Sequence, residues 1–247
     1  MDLIEIVGIE GYIQTIYMAV YPDKLLLLDG GCRTDVAKVM DYIKDTLGRP
    51  VTDLKVVMVT HMHPDHAGGA VLLKQATGCL IVSADKEKPW YFGQAGRDLQ
   101  MIDIGLSHFV ASRQGKGFEP LWYDPVLVPD IAVKEGDAVP GFADWEILET
   151  PGHTDRDLTL WHRPSHVMYT ADLILRIKQG YTAPYLITLP DAYRRSVEKV
   201  RALAPKEVLF AHGGRGALKD KVYLDLIRRT PKEPRTVYHT LQHTFMR

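Results

Sequence analysis

The sequence has few cysteines, almost no net charge and no long apolar run. Two cysteines, Cys32 and Cys79, stand in 247 residues, in no metal-binding spacing and too few for a disulfide framework. They read most simply as free thiols of a reducing cytoplasm, with a single disulfide as the alternative. Thirty basic residues against 31 acidic ones leave a formal charge of −1, so nothing global attracts nucleic acid or an anionic membrane. The apolar runs are strand-sized, well short of the roughly 20 residues that a membrane helix needs. At the N-terminus, "MDLIEIVGIEG" puts Asp2 and Glu5 where a secretory signal carries positive charge. The expectation is a cytoplasmic protein with a small-molecule substrate, and neither nucleic acid nor membrane as partner.

Histidine, by contrast, is concentrated in one place. Residues 59–69 read "VTHMHPDHAGG", with His61, His63, Asp65 and His66 directly after the apolar run 54–59. In extended chain the i and i+2 side chains share a face, so His61 and His63 can converge on one ion. Pro64 then bends the chain, and Asp65 and His66 face a second position nearby. Imidazole with carboxylate suits zinc, and also iron or manganese. Three further candidates each follow an apolar strand: His153 in "ETPGHT", Asp172 in "YTAD" and His212 in "FAHGG". Any one of them alone is ordinarily structural. Together, after the histidine cluster, they point to a metal centre.

Strand and helix patterns alternate through the first third. Runs 12–20, 24–29, 54–60 and 79–84 read as strands. Helices are expected over 33–48, with Thr34 or Asp35 as cap and Gly48 as stop, and over 67–78. The second half offers strands at 131–139 (with a turn), 144–150, 157–162, 165–171 and 207–211, and helices at 191–204 and 219–229. Residues 85–130 differ: Trp90, Tyr91, Phe92, Phe109, Phe118, Trp122 and Tyr123 suggest short aromatic-rich helices and loops. Two strand-rich halves, each with helices, predict an α/β layered sandwich with sheets inside and helices outside. The chain reads as a single domain, 1–247, with a lid-like insertion at about 85–130. That insertion would form an apolar substrate pocket, or else a satellite core or homodimer interface. His108, His162 and His166, and the C-terminal pair His239 and His243, fall outside the ligand motifs and read as surface residues.

The motifs "DGG" (29–31), "HMHPDH" (61–66), "PGHT" (151–154), "TAD" (170–172) and "AHGG" (211–214) occur in an order that resembles the metallo-β-lactamase superfamily. The resemblance implies a four-layer αββα sandwich with a metal site along one edge. It implies that His61, His63 and His153 bind one ion, that Asp65, His66 and His212 bind a second, and that Asp172 bridges both. Asp29 matches an acidic position beneath the site, though it reads equally as a strand-end turn residue. The implied protein is a dinuclear metal-dependent hydrolase, with Asp65 and Asp172 in the catalytic centre. Its two divalent ions would be zinc, with iron or manganese as alternatives. A metal-bridging hydroxide would cleave a thioester, lactone or other ester-type bond.

Asp172 separates the chain from true β-lactamases of the superfamily, which lack the bridging aspartate. Glyoxalase II–like thioesterases and homoserine-lactone hydrolases keep all seven ligands. The lactonases place a tyrosine three residues after that aspartate, where this chain has Leu175; Tyr181 or Tyr185 is the nearest substitute. Glyoxalase II has a glycine-rich basic stretch there, and this chain reads "DLILRIKQGYTAPY" instead. Arg176, Lys178 and Tyr181 are therefore candidate substrate contacts, against the plainer reading of a solvated loop. Ribonuclease Z–type enzymes share the metal motifs, but a neutral chain offers no evident tRNA surface. The rival readings are an iron persulfide dioxygenase-like oxidoreductase, using His61, His153 and Asp172 around one iron, and a non-enzymatic metal-binding module of the same fold.

Overall fold

In the computed structural model, which describes residues 2–236, the apolar runs become the strands of two six-stranded sheets. The chain divides into two units, one reaching residue 134 with 139–143, the other comprising 135–138 and the residues from 144 onward. Each unit has its own sheet and its own helices. The α/β expectation holds. His239 and His243 lie outside the described residues.

In the first unit, β1 (Glu5–Glu10), β2 (Thr15–Val20) and β3 (Leu25–Leu27) form an antiparallel meander. The chain then crosses over to β4 (Leu54–Val59), β5 (Leu80–Ala84) and β6 (Ile131–Val133), all parallel to β3. Leu25, Leu26 and Leu27 are fully buried, as expected of a strand covered on both faces. Between these strands lie α1 (Val36–Asp41), α2 (Pro64–Ala67), α3 (Ala70–Thr77) and α4 (Gly93–Arg113). Gly78 ends α3 in the left-handed conformation at φ 77°, its N–H donating to the Lys74 carbonyl at 2.8 Å.

The second unit's sheet contains β7 (Ala138–Val139), β8 (Phe142–Glu149), β9 (Leu158–His162) and β10 (Val167–Tyr169). A small hairpin, β11 (Leu175–Ile177) with β12 (Gly180–Thr182), stands apart from it. α5 (Pro190–Leu203) leads back to β13 (Glu207–Phe210), parallel to β10, and β14 (Gly214–Gly216) closes the edge before α6 (Asp220–Arg229). Trp145 and Phe142 are fully buried on β8. Among the described residues no helix is long and apolar enough to cross a membrane.

Three expectations are corrected. The helix over 33–48 is broken into a 3-10 turn (Arg33–Asp35), α1 and a π-helical turn (Tyr42–Thr46). Asp35 is the N-cap residue of α1, as expected, with its side chain turned back to accept the Cys32 N–H at 3.0 Å. Residues 131–139 form two strands with a turn between them, as expected, and β6 and β7 belong to different sheets. The 85–130 segment holds one 21-residue helix, α4, rather than several short ones. His162 is buried, its ring bridging Asp144 (2.9 Å) and Ser165 (2.6 Å), so the surface reading fails there.

Asp35 carries a pH prediction. Its carboxyl is fully buried, and burial pushes its pKa above the ordinary carboxylate value, with Lys38 at 3.6 Å opposing the shift. The folded state therefore holds more protons than the unfolded chain between the two pKa values, and stability falls as pH rises through that window. Urea unfolding across the acidic range should show this downward component in the wild type and not in Asp35→Asn. Equal pH slopes in the two proteins would contradict the assignment.

Candidate metal centre

The first unit gathers His61, His63, Asp65 and His66 just beyond the C-terminal end of β4, the end of a parallel strand where α/β folds place their ligands. His63 precedes α2, and Pro64 opens that helix, where its missing N–H costs nothing. His61 Nε2 and His63 Nδ1 lie 3.1 Å apart. Two nitrogens bound to one tetrahedral cation at about 2.05 Å would stand roughly 3.3 Å apart. Asp65 Oδ2 lies 3.5 Å from His66 Nε2, a similar separation.

Tautomers are set from behind. His66 Nδ1 is 2.6 Å from Asp29 Oδ2, which fixes the proton on Nδ1 and turns the Nε2 lone pair towards Asp65. Thr60 Oγ1 donates to the same Asp29 oxygen at 2.6 Å and lies 3.2 Å from His61 Nδ1, so its remaining lone pair can accept the His61 proton. Asp29 also accepts the Thr60 N–H at 3.1 Å. Asp29, just beyond the end of β3, is thus a buried acceptor for Thr60 and His66. Close backbone approach completes the arrangement: Gly30 N–H donates to the His66 carbonyl at 2.9 Å, and a Cβ on Gly30 would sit 2.7 Å from that oxygen.

The second unit supplies His153, Asp172 and His212. Asp172 Oδ2 is 3.5 Å from His153 Nε2, and its Oδ1 is 3.4 Å from His212 Nε2. One carboxylate thus turns a different oxygen to each imidazole. His153 Nδ1 donates to the Leu186 carbonyl at 2.7 Å, again leaving Nε2 as the lone-pair nitrogen. Asp172 follows Ala171, whose φ of 44° is a strained conformation for alanine and aims the aspartate off the end of β10. Tyr193 braces both loops: its hydroxyl donates to the Leu173 carbonyl at 2.8 Å, and its backbone leaves no room for a Cβ on Gly152. Gly213, at φ 111°, lets the chain turn after His212 where a Cβ would strike the Arg176 carbonyl at 2.1 Å.

Asp157 was not among the expected residues. It is buried and accepts from the Thr154 N–H (2.7 Å) and hydroxyl (2.5 Å), and burial raises its pKa, with His153 pulling the other way. Tyr91, Asp103 and Tyr123 were likewise missed. Their signal in sequence was only the aromatic richness of 85–130.

The weaker substrate candidates lie in and beside the β11–β12 hairpin. The Arg176 guanidinium donates to the Arg215 carbonyl at 2.5 Å. Tyr181 packs its ring against Phe210, with centroids 5.4 Å apart. Lys178 is exposed beyond β11. Tyr185 is exposed, with the Arg235 guanidinium 5.6 Å from its ring.

The donor set fits a cation: within each unit, imidazole nitrogens stand beside carboxylate oxygens at the spacing of shared ligands. Comparison with known proteins agrees. The family profile described as the metallo-beta-lactamase superfamily matches residues 9–212. The chain is 25% identical over 210 residues to the probable metallo-hydrolase YflN of Bacillus subtilis, covering 78% of this chain and 76% of that one. To the hydroxyacylglutathione hydrolase of Bdellovibrio bacteriovorus it is 23% identical over 188 residues, covering 76% and 57%. This chain thus spans under two thirds of that enzyme. Among solved structures, an archaeal metallo-beta-lactamase superfamily protein from Sulfolobus tokodaii aligns with a TM-score of 0.65 at 20% identity, covering 92% and 87%. A protein solved in a di-iron-bound form, TTHA1623, aligns with a TM-score of 0.60 at 19% identity, covering 93% and 99%.

Proposed function

The chain belongs to the metallo-beta-lactamase superfamily, and from that premise we propose that it is a dinuclear metal-dependent hydrolase acting on a small thioester or related ester. As the family's motif pattern implies, one ion would be held by His61, His63, His153 and Asp172, the other by Asp65, His66, His212 and Asp172. The observation that carries this reading is Asp172, with one oxygen towards His153 and the other towards His212. A carboxylate serving a single ion has no need of an imidazole on each oxygen. The single-iron reading uses His61, His153 and Asp172 and leaves the His212 contact without a purpose.

Two bound divalent cations would supply Lewis acidity and a hydroxide at neutral pH. This chain's own groups do the rest. Asp29 and the Leu186 carbonyl accept hydrogen bonds from the Nδ1–H groups of His66 and His153 and hold those rings in ligand orientation. Asp65 and Asp172 bring negative charge that leaves a net positive centre, suited to an oxyanion. Zinc, with iron or manganese as alternatives, suits these nitrogen and oxygen donors. The hydroxyacylglutathione hydrolases among the relatives favour a thioester over a β-lactam, and an Asp172 that bridged two ions would agree with that.

The test is turnover. Protein stripped with chelator and reloaded with zinc, iron or manganese should hydrolyse hydroxyacyl thioesters, and the stripped protein should not. Metal-loaded protein that is inert towards thioesters, lactones and phosphodiesters, yet consumes oxygen with a persulfide, would overturn the hydrolase in favour of the dioxygenase.

A further inference from the structure

Helix α4 buries the wrong residues for an ordinary cover. Its inward stripe is Gly96, Gln100, Asp103, Ile104, Ser107 and Ala111, whereas Met101, Leu106 and Phe109 face outward. Burying a carboxylate in a helix interior is costly unless it has partners. Asp103 has them. Its Oδ2 lies 3.7 Å from His63 Nε2 and accepts the Tyr91 hydroxyl at 2.8 Å.

We propose that Asp103 is a positioning residue for His63: it faces the Nε2 edge of that ring, so that the proton sits there and Nδ1 is presented to the metal. The proposal rests on the reading of His63 as a ligand, and it makes α4 a working part of the metal centre. Geometry at the other edge agrees, because Nδ1 is the nitrogen 3.1 Å from His61 Nε2. Neighbouring residues of the 85–130 segment grip the same loop. Trp90 stands edge-on to the His63 ring, with centroids 6.4 Å apart at 77°. The Tyr123 hydroxyl donates to the carbonyl of Met62, between the two histidines, and Gln100 holds Tyr123 through its carbonyl at 2.9 Å. Burial pushes the pKa of both tyrosines up, so each hydroxyl keeps its proton and acts as a donor. Asp103 therefore remains the acceptor in this chain of contacts.

A merely structural anchor would hold α4 without affecting the metal, and the test separates the two roles. Zinc affinity is measured by competition with a chromophoric chelator on the full chain, alongside the visible spectrum of cobalt-loaded protein and the melting temperature of the metal-free form. Asp103→Asn keeps the shape but removes the charge, and should weaken one of the two ions by about 10–100-fold and shift the cobalt spectrum. Tyr91→Phe, which removes only the hydroxyl on Asp103, should weaken the same ion by about three- to tenfold. Unchanged zinc affinity and cobalt spectrum in Asp103→Asn, whatever its melting temperature, would overturn the proposal while leaving the hydrolase reading intact. If Asp103→Asn does not fold, unchanged affinity in Tyr91→Phe overturns it equally. Wild-type protein that binds no zinc would sink both this proposal and the metal reading on which it rests.

Discussion

Replacing Asp172 with alanine should abolish turnover and cut metal content below that of any single-histidine variant. The reason is its position between two imidazoles. Its oxygens lie 3.5 Å from His153 Nε2 and 3.4 Å from His212 Nε2, so one substitution removes a donor from each proposed ion. A loss on the order of a thousandfold in kcat/KM, equivalent to about 4 kcal/mol of transition-state stabilisation, is the expected minimum. Stability should suffer little in comparison. Asp172 sits in a turn after β10, and the Leu173 N–H to Thr170 carbonyl bond at 2.9 Å that shapes the turn does not involve its side chain. Asp172→Asn should behave similarly in activity, since a neutral amide is a poor bridge between cations. Metal analysis with steady-state kinetics reads both effects. An Asp172→Ala protein retaining two ions and a tenth of wild-type activity would show that the carboxylate does not bridge.

Asp29 should divide its effects between stability and metal. It receives the Thr60 hydroxyl and N–H and faces His66 Nδ1 at 2.6 Å, all in a site almost closed to solvent. Asp29→Ala strands several buried donors at once, and a loss of about 3 kcal/mol in unfolding free energy is expected. Asp29→Asn retains one acceptor oxygen but turns an amide donor towards groups that are themselves donors. It should fold, with metal affinity lowered about 10–100-fold by misorienting His66. Urea titration and chelator competition on the two variants separate these losses. Wild-type metal affinity in Asp29→Asn would reduce Asp29 to a purely structural residue.

The legible parts of the sequence were those where a period or a spacing carries the physics. Leu25–Leu27 and Leu54–Val59 are strands of mostly apolar residues, Lys55 alone turning out to solvent, whereas His61 and His63 lie in a bend beyond β4 and not in the extended chain that their i, i+2 spacing suggested. His153, Asp172 and His212 were legible because each stands just after an apolar strand. The helix α4 was not legible, because its buried stripe runs through glycine, glutamine, aspartate and serine while its apolar residues face outward. No hydrophobic period marks such a helix, and it is where Asp103 was hidden. The breaks within 33–46 were invisible for a different reason: 3-10 and π-helical turns share the composition of the α-helix between them. Strand β1 went unrecognised because Glu5, Gly8 and Glu10 dilute its apolar alternation. Asp157 and its contacts with Thr154 depend on a turn of the chain that no spacing rule anticipates.

The most direct test is metal content per chain, measured by inductively coupled plasma mass spectrometry on protein purified without chelator or added metal. About two ions per chain, falling to one or fewer in Asp172→Ala, is the result that a bridging aspartate requires. A single iron per chain, unchanged when His212 is replaced by alanine, would contradict the dinuclear centre and move the dioxygenase to the front.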